Sequence, residues 1–464
     1  MAVHQSLRIT EYDEADTVTG TYVQSEGKSQ GLSRVDVIPP QDLKSLSQTA
    51  WNRAVDVFLP VGFPHSVSED YLEYQIYDSL QAFSSSIASL LSSRAVLSSV
   101  GVGDSTASPT AAIILSILQD SVGRIATILF AHRFGTSLEP ECKMYRLLAD
   151  VLNDTGFVLD CMSPVFPKPI RVVVLSLSSV LRSLCGVAAG SSKASLSAHF
   201  AKQGNLGELN AKDSSQETVI SLVGMMAGSL VISWITTPIA TWTALILLLS
   251  IHLETNRRAV RAVKMRTLTR QRGTLVYHQL QQDKIPTPDF IASQERIFER
   301  DGVLRNAKAE VLGFCSVGVP LARLLNSIAE QHSQTRSSTM ASEKFTQILD
   351  LYQSSAFILW SDRASHPRRN SLFIVVKKNA VSQDLILAWW QALIFAQSFS
   401  SEPLRDAKAE DFEQLLKRFS RSLDAATILL RKYEPKLKEA GWNLELDAIQ
   451  TMAGTTITID HAET

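Results

Sequence analysis

From Thr218 to Ile251 the chain runs 34 residues without a single charged side chain. As one straight helix such a run is roughly 50 Å long at 1.5 Å per residue. A bilayer core is only about 30 Å thick. Thr236-Thr-Pro238 stands near the middle, and proline breaks or kinks a helix because it lacks the amide donor. The run therefore reads as two short, packed membrane spans, or one span kinked at the proline. Trp234 and Trp242 flank the break, as interfacial residues do. Gly224-Met-Met-Ala-Gly228 is a GxxxG, which lets helix backbones approach closely in lipid.

The residues just past the run fit the same reading. Arg257, Arg258, Arg261, Lys264, Arg266, Arg270 and Arg272 come directly after it. A basic block at a membrane exit is the positive-inside pattern and puts residue 254 onward in the cytosol. The block also suits nucleic acid, but a membrane exit accounts for it without a ligand. The net charge of -1 supplies no overall pull toward polyanions.

Three more apolar stretches precede the run. Ala82 to Val100 has only Arg94 charged, Ala111 to Ala131 is interrupted by Asp120 and Arg124, and Ile170 to Gly190 carries Arg182 near its middle. The last ends in a second GxxxG, Gly186 to Gly190, and Pro164, Pro167 and Pro169 separate it from the helix before. The alternative is the buried helical core of a large soluble protein, its charges paired.

Ionisable residues in lipid persist where they pair or line a pathway, so the polar stripes are the candidate sites. After the Pro60–Pro64 turn, Ser66 or Ser68 can cap a helix. On that helix Asp70, Tyr71, Tyr74, Gln75, Asp78 and Gln81 fall on or beside one face. Gly101-Val-Gly-Asp104 reads as a helix stop; a nucleotide loop would need a third glycine and a preceding strand. Asp120 and Arg124 form a second polar group. Lys143, Arg146, Asp150 and Asp154, with Asn153 beside them, form a third at spacings of three and four. His199, Asn205, Lys212, Asp213, Gln216 and Glu217 lie in the polar connector before the uncharged run. These groups are expected to form one polar seam in a helix bundle, either as structural ion pairs or as a solute or proton route. An enzyme using Asp70 and Asp78 is disfavoured: two helical turns hold these carboxylates about 12 Å apart along the axis, wide for an acid/base pair.

No metal-ligand spacing joins Cys142, Cys161, Cys185, Cys315 and the histidines. The cysteines read as reduced, buried side chains. No cofactor motif and no catalytic triad spacing is found. Residues 273 to 464 read as a small soluble α+β module. Strands are expected at 356–360, 371–376 and 442–447, and helices at 295–331, 384–396 and 407–440.

The ordered motifs Pro60-x-Gly-Phe-Pro-x-Ser-Val67, Asp70-Tyr-x-x-Tyr-Gln-x-x-Asp78-x-x-Gln81, Gly101-Val-Gly-Asp104 and Asp120-x-x-Gly-Arg124 resemble the root UVB-sensitive (RUS) family. So do Lys143-x-x-Arg146-x-x-Ala-Asp150-x-x-Asn-Asp154, His199-Phe-Ala201 with Asn205, Ala211-Lys-Asp213-x-x-Gln-Glu217 and His252-Leu-x-x-Asn256-x-x-Ala-Val260. Ser214, Lys193 and Arg257 stand where the family usually has Gly, Arg and Tyr. The resemblance implies a eukaryotic, membrane-associated protein with no established enzymatic activity. Plant members are linked to seedling development, root UV-B responses, auxin transport and vitamin homeostasis, and act in complexes with one another. No transit peptide is recognisable, so a fungal-type or other non-plastid member at the endoplasmic reticulum or another endomembrane is expected.

The fold expected is mainly α: a polytopic, membrane-embedded helical bundle followed by a small soluble α+β domain. Its divisions are a disordered polar tail at 1–45, a helical membrane domain at 46–256, a basic juxtamembrane segment at 257–272 and a cytosolic α+β domain at 273–464. Expected partners are the bilayer, a further copy or another family member, and a small solute, with no nucleic acid. Transport through the seam is the leading function. A scaffold or adaptor acting through the glycine faces and the soluble domain is the alternative.

Overall fold

Helix dominates the chain because its long apolar stretches lack interior prolines and are cut only at Pro-rich or Gly-rich points. A computed structural model describes residues 7–12, 18–26, 33–38, 58–99, 109–202, 204–328, 330–331, 338–339, 342–361, 370–400 and 412–459. They divide into two units. One comprises residues 1–107, 160–167 and 194–259, and the other 108–159, 168–193 and 260–464.

In the first unit β1 (Leu7–Tyr12), β2 (Val18–Glu26) and β3 (Ser33–Ile38) form an antiparallel sheet, where composition suggests a polar tail with a short strand or two. Most of residues 43–58, which read from the sequence as a short helix leading into the Pro60 turn, and the Gly101–Asp104 stop lie outside the described residues. The helices that follow along the chain, shared between the two units, are α1 (Tyr71–Ser99), α2 (Pro109–Phe134), α3 (Cys142–Met162), α4 (Lys168–Phe200), α5 (Leu206–Trp234) and α6 (Pro238–Ala262). The uncharged run is thus divided between α5 and α6, and Pro238 opens the second, where its missing N–H is harmless. Among the described residues four helical segments are long and apolar enough to cross a membrane: Ile113–Ser137, Lys168–Phe200, Leu206–Trp234 and Pro238–Ala262.

α1 and α5 pack side by side and parallel. Gln75 meets Asp213, and further along the pair Ser86 and Leu90 meet Gly224 and Gly228, each contact joining residues 138 apart. A Cβ at Gly224 would lie 2.8 Å from the Ser86 Cβ, and one at Gly228 would lie 2.8 Å from Leu90 Cδ1 and 3.2 Å from Ile87 Cα. This GxxxG is therefore used within the chain. At Gly186 and Gly190 an added Cβ would meet nothing within 4 Å.

The second unit continues with β4 (Thr267–Thr269), α7 (Arg270–Leu280), α8 (Pro288–Gln294), β5 (Val303–Arg305), β6 (Val311–Val317), α9 (Leu321–Ile328), β7 (Glu330–Gln331), β8 (Ser338–Thr339) and α10 (Ser342–Leu351). It ends with β9 (Phe357–Ser361), β10 (Asn370–Lys377), α11 (Ser382–Ser400), α12 (Phe412–Glu439), β11 (Asn443–Ala448) and β12 (Thr456–Ile457). A five-stranded mixed sheet runs β12-β10-β6-β5, with β9 antiparallel on β10. Its core includes Trp389 and Trp390, whose indole N–H groups donate to Thr274 Oγ1 and the Gly273 carbonyl, both at 2.9 Å.

The helix expected across 295–331 is corrected to β5, β6 and the short α9. Residues 311–317 bury alternate side chains, the period of two that defines a half-buried strand. Gly302, at φ +70°, turns the chain ahead of β5, where a Cβ would lie 2.5 Å from the Cys315 carbonyl oxygen.

Gly224→Leu or Gly228→Leu should destabilise the protein by about 1–3 kcal/mol through overpacking, whereas Gly186→Leu should stay within about 0.5 kcal/mol. Denaturant titration of the purified protein in micelles checks both.

Candidate functional site

The first-unit site is assembled by the turn before α1. The Phe63–Pro64 peptide is cis and Gly62 has φ +74°; Phe63 N donates to the Pro60 carbonyl and His65 N to that of Gly62. The chain leaving this turn pairs with the end of α4. Ser68 N donates to the Phe200 carbonyl at 2.9 Å and Lys202 N to that of Ser66 at 3.1 Å. That pairing sets Asp70 beside His199, with Asp70 Oδ2 and His199 Nε2 2.9 Å apart. The Ser68 hydroxyl donates to Asp70 Oδ1 at 2.5 Å. Tyr71 and Tyr74 pack on Phe200, ring centroids 5.6 and 5.0 Å apart.

The remaining α1 stripe faces α5. Gln75 Nε2 donates to Asp213 Oδ1 at 2.9 Å and to Gln216 Oε1 at 2.6 Å, and Gln216 donates to the Phe58 carbonyl at 2.5 Å. The Tyr74 hydroxyl reaches Asp78 Oδ1 at 3.4 Å. Asp70, Gln75, Asp78, Gln81, Asp213 and Gln216 are all buried. Asn205 donates to the Ser66 carbonyl at 3.1 Å, Lys212 is half-buried, and Glu217 is exposed. We call this arrangement the collar. It occupies the N-terminal ends of α1 and α5, before the uncharged run begins.

At the other end of the same pair, Arg94 Nη1 donates to the Ile235 carbonyl at 2.7 Å, and Nη2 donates to Thr241 Oγ1 at 2.9 Å. A helix end leaves carbonyls without partners, and Arg94 satisfies one at the α5–α6 break. Ser92 donates to Asp160 at 2.7 Å.

The polar groups on α2 and α3 belong to the second unit. Asp120 and Arg124 are exposed and form no ion pair with each other among the described residues. Lys143 Nζ is 2.6 Å from Glu295, whose other oxygen accepts from Arg272 at 3.0 Å. Arg146 and Asp150 are 3.6 Å apart, and Asp154 is buried while Asn153 is half-buried. The groups expected to line one seam are thus distributed over two units. The basic block is distributed likewise. Arg257 and Arg258 pair with Glu254 at 2.7 and 2.8 Å, while Arg270 and Arg272 are buried and pair with Asp301 and Glu295. Among the described residues no group of three or more metal-ligating side chains comes together.

Sequence reasoning missed Arg94 as a cap, Glu208, which accepts from Val61 N at 2.7 Å, and Glu295. It also left out of the site His252 and Asn256, both buried. Their spacing of four on α6, just past the uncharged run, is the signal that could have found them.

These features define a mainly helical protein with four helices suited to a membrane by length and composition, a buried polar collar, and a C-terminal unit built on a mixed sheet. The chain belongs to the root UVB-sensitive family: residues 44–284 match the family described as the vitamin B6 photo-protection and homoeostasis domain. It is 41% identical over 252 residues to RUS family member 1 of Dictyostelium discoideum, covering 53% of this chain and 48% of that protein. It is 37% identical over 249 residues to protein root UVB sensitive 3 of Arabidopsis thaliana, covering 53% and 56%. The chain thus spans about half the length of these two relatives. A longer, weaker match, 24% over 408 residues, is to Arabidopsis protein root UVB sensitive 5 and covers 84% of this chain and 73% of that one. No solved structure matches.

A double-mutant cycle of Gln75→Leu and Asp213→Leu should give a coupling of about 0.5–3 kcal/mol, read by denaturant titration in micelles. At Glu295, burial raises the carboxyl pKa, but Lys143 and Arg272 outweigh it and hold it below the usual range. A depressed carboxylate stabilises the fold above the ordinary glutamate range, and that share is lost as pH falls through the lowered value. Glu295→Gln leaves two buried cations without their carboxylate and should cost about 3–5 kcal/mol at neutral pH. It should also flatten the acid limb of a stability-against-pH curve.

Proposed function

We propose that this chain is a non-enzymatic, multi-pass membrane protein that moves a small solute, with the collar closing one end of the route. The observation that carries the reading is inverted burial over residues 70–81, at the start of α1. Asp70, Gln75, Asp78 and Gln81 are 4–7% exposed, whereas Leu72, Ile76 and Leu80 are 46–53% exposed. In water the opposite arrangement is favoured. In lipid, apolar side chains face outward and ionisable ones gather inside, where they mark solute or proton pathways. On α2 apolar residues also point outward, with Ile113, Ile117, Ile125 and Ile128 58–68% exposed, but Asp120 and Arg124 are exposed there as well. Asp70 with His199, and Asp213 with Gln75, are groups that can exchange a proton or a hydrogen-bond partner with a solute.

The family description supports vitamin B6 compounds as the first solutes to test. The reading includes an endomembrane location with the C-terminal unit in the cytosol, supported by the basic residues that end α6. A second reading, assembly with another copy or another family member, is favoured by the open faces of Gly186 and Gly190 on α4.

Reconstituted into vesicles, the protein should take up pyridoxine, pyridoxal or pyridoxamine faster than empty vesicles do. Asp70→Asn and Asp213→Asn should lower that rate at least tenfold while the protein still elutes as one species. Uptake no faster than in empty vesicles for these and their phosphates removes the transport reading for this solute class. Alkaline carbonate extraction tests the membrane claim directly: recovery in the supernatant overturns it.

A further inference from the structure

Where α2 ends, the second unit contains a cavity of about 360 Å³, toward the small end of the roughly 300–1,000 Å³ that ligand sites occupy. Its apolar walls include Phe134, Met144, Leu275 and Met452, and the Tyr145 ring adds an aromatic edge. The acids around it differ in one respect. Glu299 takes Arg305 through both of its oxygens, at 2.8 Å. Asp301 takes Arg270, and Thr451 donates to it at 3.2 Å. Glu141, one residue before α3, also lines the cavity, and its carboxyl makes no hydrogen bond or ion pair among the described residues.

We propose that this cavity binds a small organic cation, a protonated amine on an aromatic or similarly flat apolar body, with Glu141 as its counter-ion. Four arginines also line the cavity. Arg270 is held by Asp301 and by the Ile449 carbonyl, Arg305 by Glu299, and Arg296 stands 3.8 Å from Glu299. The Arg300 guanidinium lies over the Phe314 ring at 4.3 Å. Among the described residues Glu141 is the acid of the lining that no arginine takes, and it is the group we assign to the ligand's charge. Aromatic edges beside a carboxylate suit an arylammonium ion: the carboxylate attracts its charge and the rings pack on its flat body.

Burial pushes the Glu141 carboxyl up to about 7, with Arg272 and Arg270 drawing it down and Glu295 and Asp301 driving it up. On the adjoining α3, Lys143 is bound by Glu295, and across the cavity burial lowers the pKa of His278. A bound cation favours ionised Glu141, so affinity should rise from pH 6 to pH 8, and binding near pH 7 should release a proton.

Isothermal titration of the full chain in detergent with benzylamine, benzyl alcohol and benzoate tests this. Benzylamine should bind at least tenfold more tightly than the other two, with heats that differ between buffers of unlike ionisation enthalpy. Glu141→Gln should remove the preference and the buffer dependence. Met452→Trp, which fills the cavity from its rim, should abolish binding while the thermal midpoint stays close to that of the wild type. Failure of benzylamine to bind, benzoate binding as tightly, or Glu141→Gln keeping the preference would each overturn the proposal. None of these outcomes depends on solute transport.

Discussion

Everything in the first unit depends on burying polar side chains between helices whose outer faces are apolar. A carboxylate or amide removed from water costs several kcal/mol unless it is paired, so each buried group needs a partner in reach. α1 and α5 meet this by running parallel at a fixed offset. Gln75 then reaches Asp213 and Gln216, and the same offset brings Gly224 under Ser86 and Gly228 under Leu90. The amide–carboxylate contacts set the register, and the glycines let the backbones approach closely enough to hold it. Arg94 closes the far end by taking carbonyls that the α5–α6 break leaves unpaired.

The collar's position bears on what it can do. It lies at the N-terminal ends of α1 and α5, where their sequences are still polar, and the apolar halves come after it. The pairing of residues 66–68 with 200–202 makes Asp70 and His199 neighbours. The histidine's environment is thus governed by a turn more than a hundred residues upstream.

The second unit meets the same physical requirement differently. Its cations are drawn inside: Lys143 and Arg272 share Glu295, and Arg270 is held by Asp301 and the Ile449 carbonyl. Part of what looks in sequence like one basic surface patch is thereby neutralised within the fold. Among the described residues Glu141 is the acid of the cavity lining that no basic side chain takes.

The helices, the break at Pro238, the strands at 357–361 and 370–377 and the α1 stripe were legible because each is a local pattern: period, charge gap, proline. Family membership was legible because the motifs recur in order along the chain. The helix assigned to 295–331 failed because a short apolar run does not distinguish the two periods until its sheet partners are known. The division of the polar stripes between two units was not legible for a related reason. Helical spacing tells which residues share a face, but not which face of which helix they meet. Only the tertiary structure decided that α1 pairs with α5, that Lys143 belongs to Glu295, and that the pairing of the cavity's other acids leaves Glu141 over. Such choices rest on contacts between residues far apart in sequence, and local chemistry does not encode them.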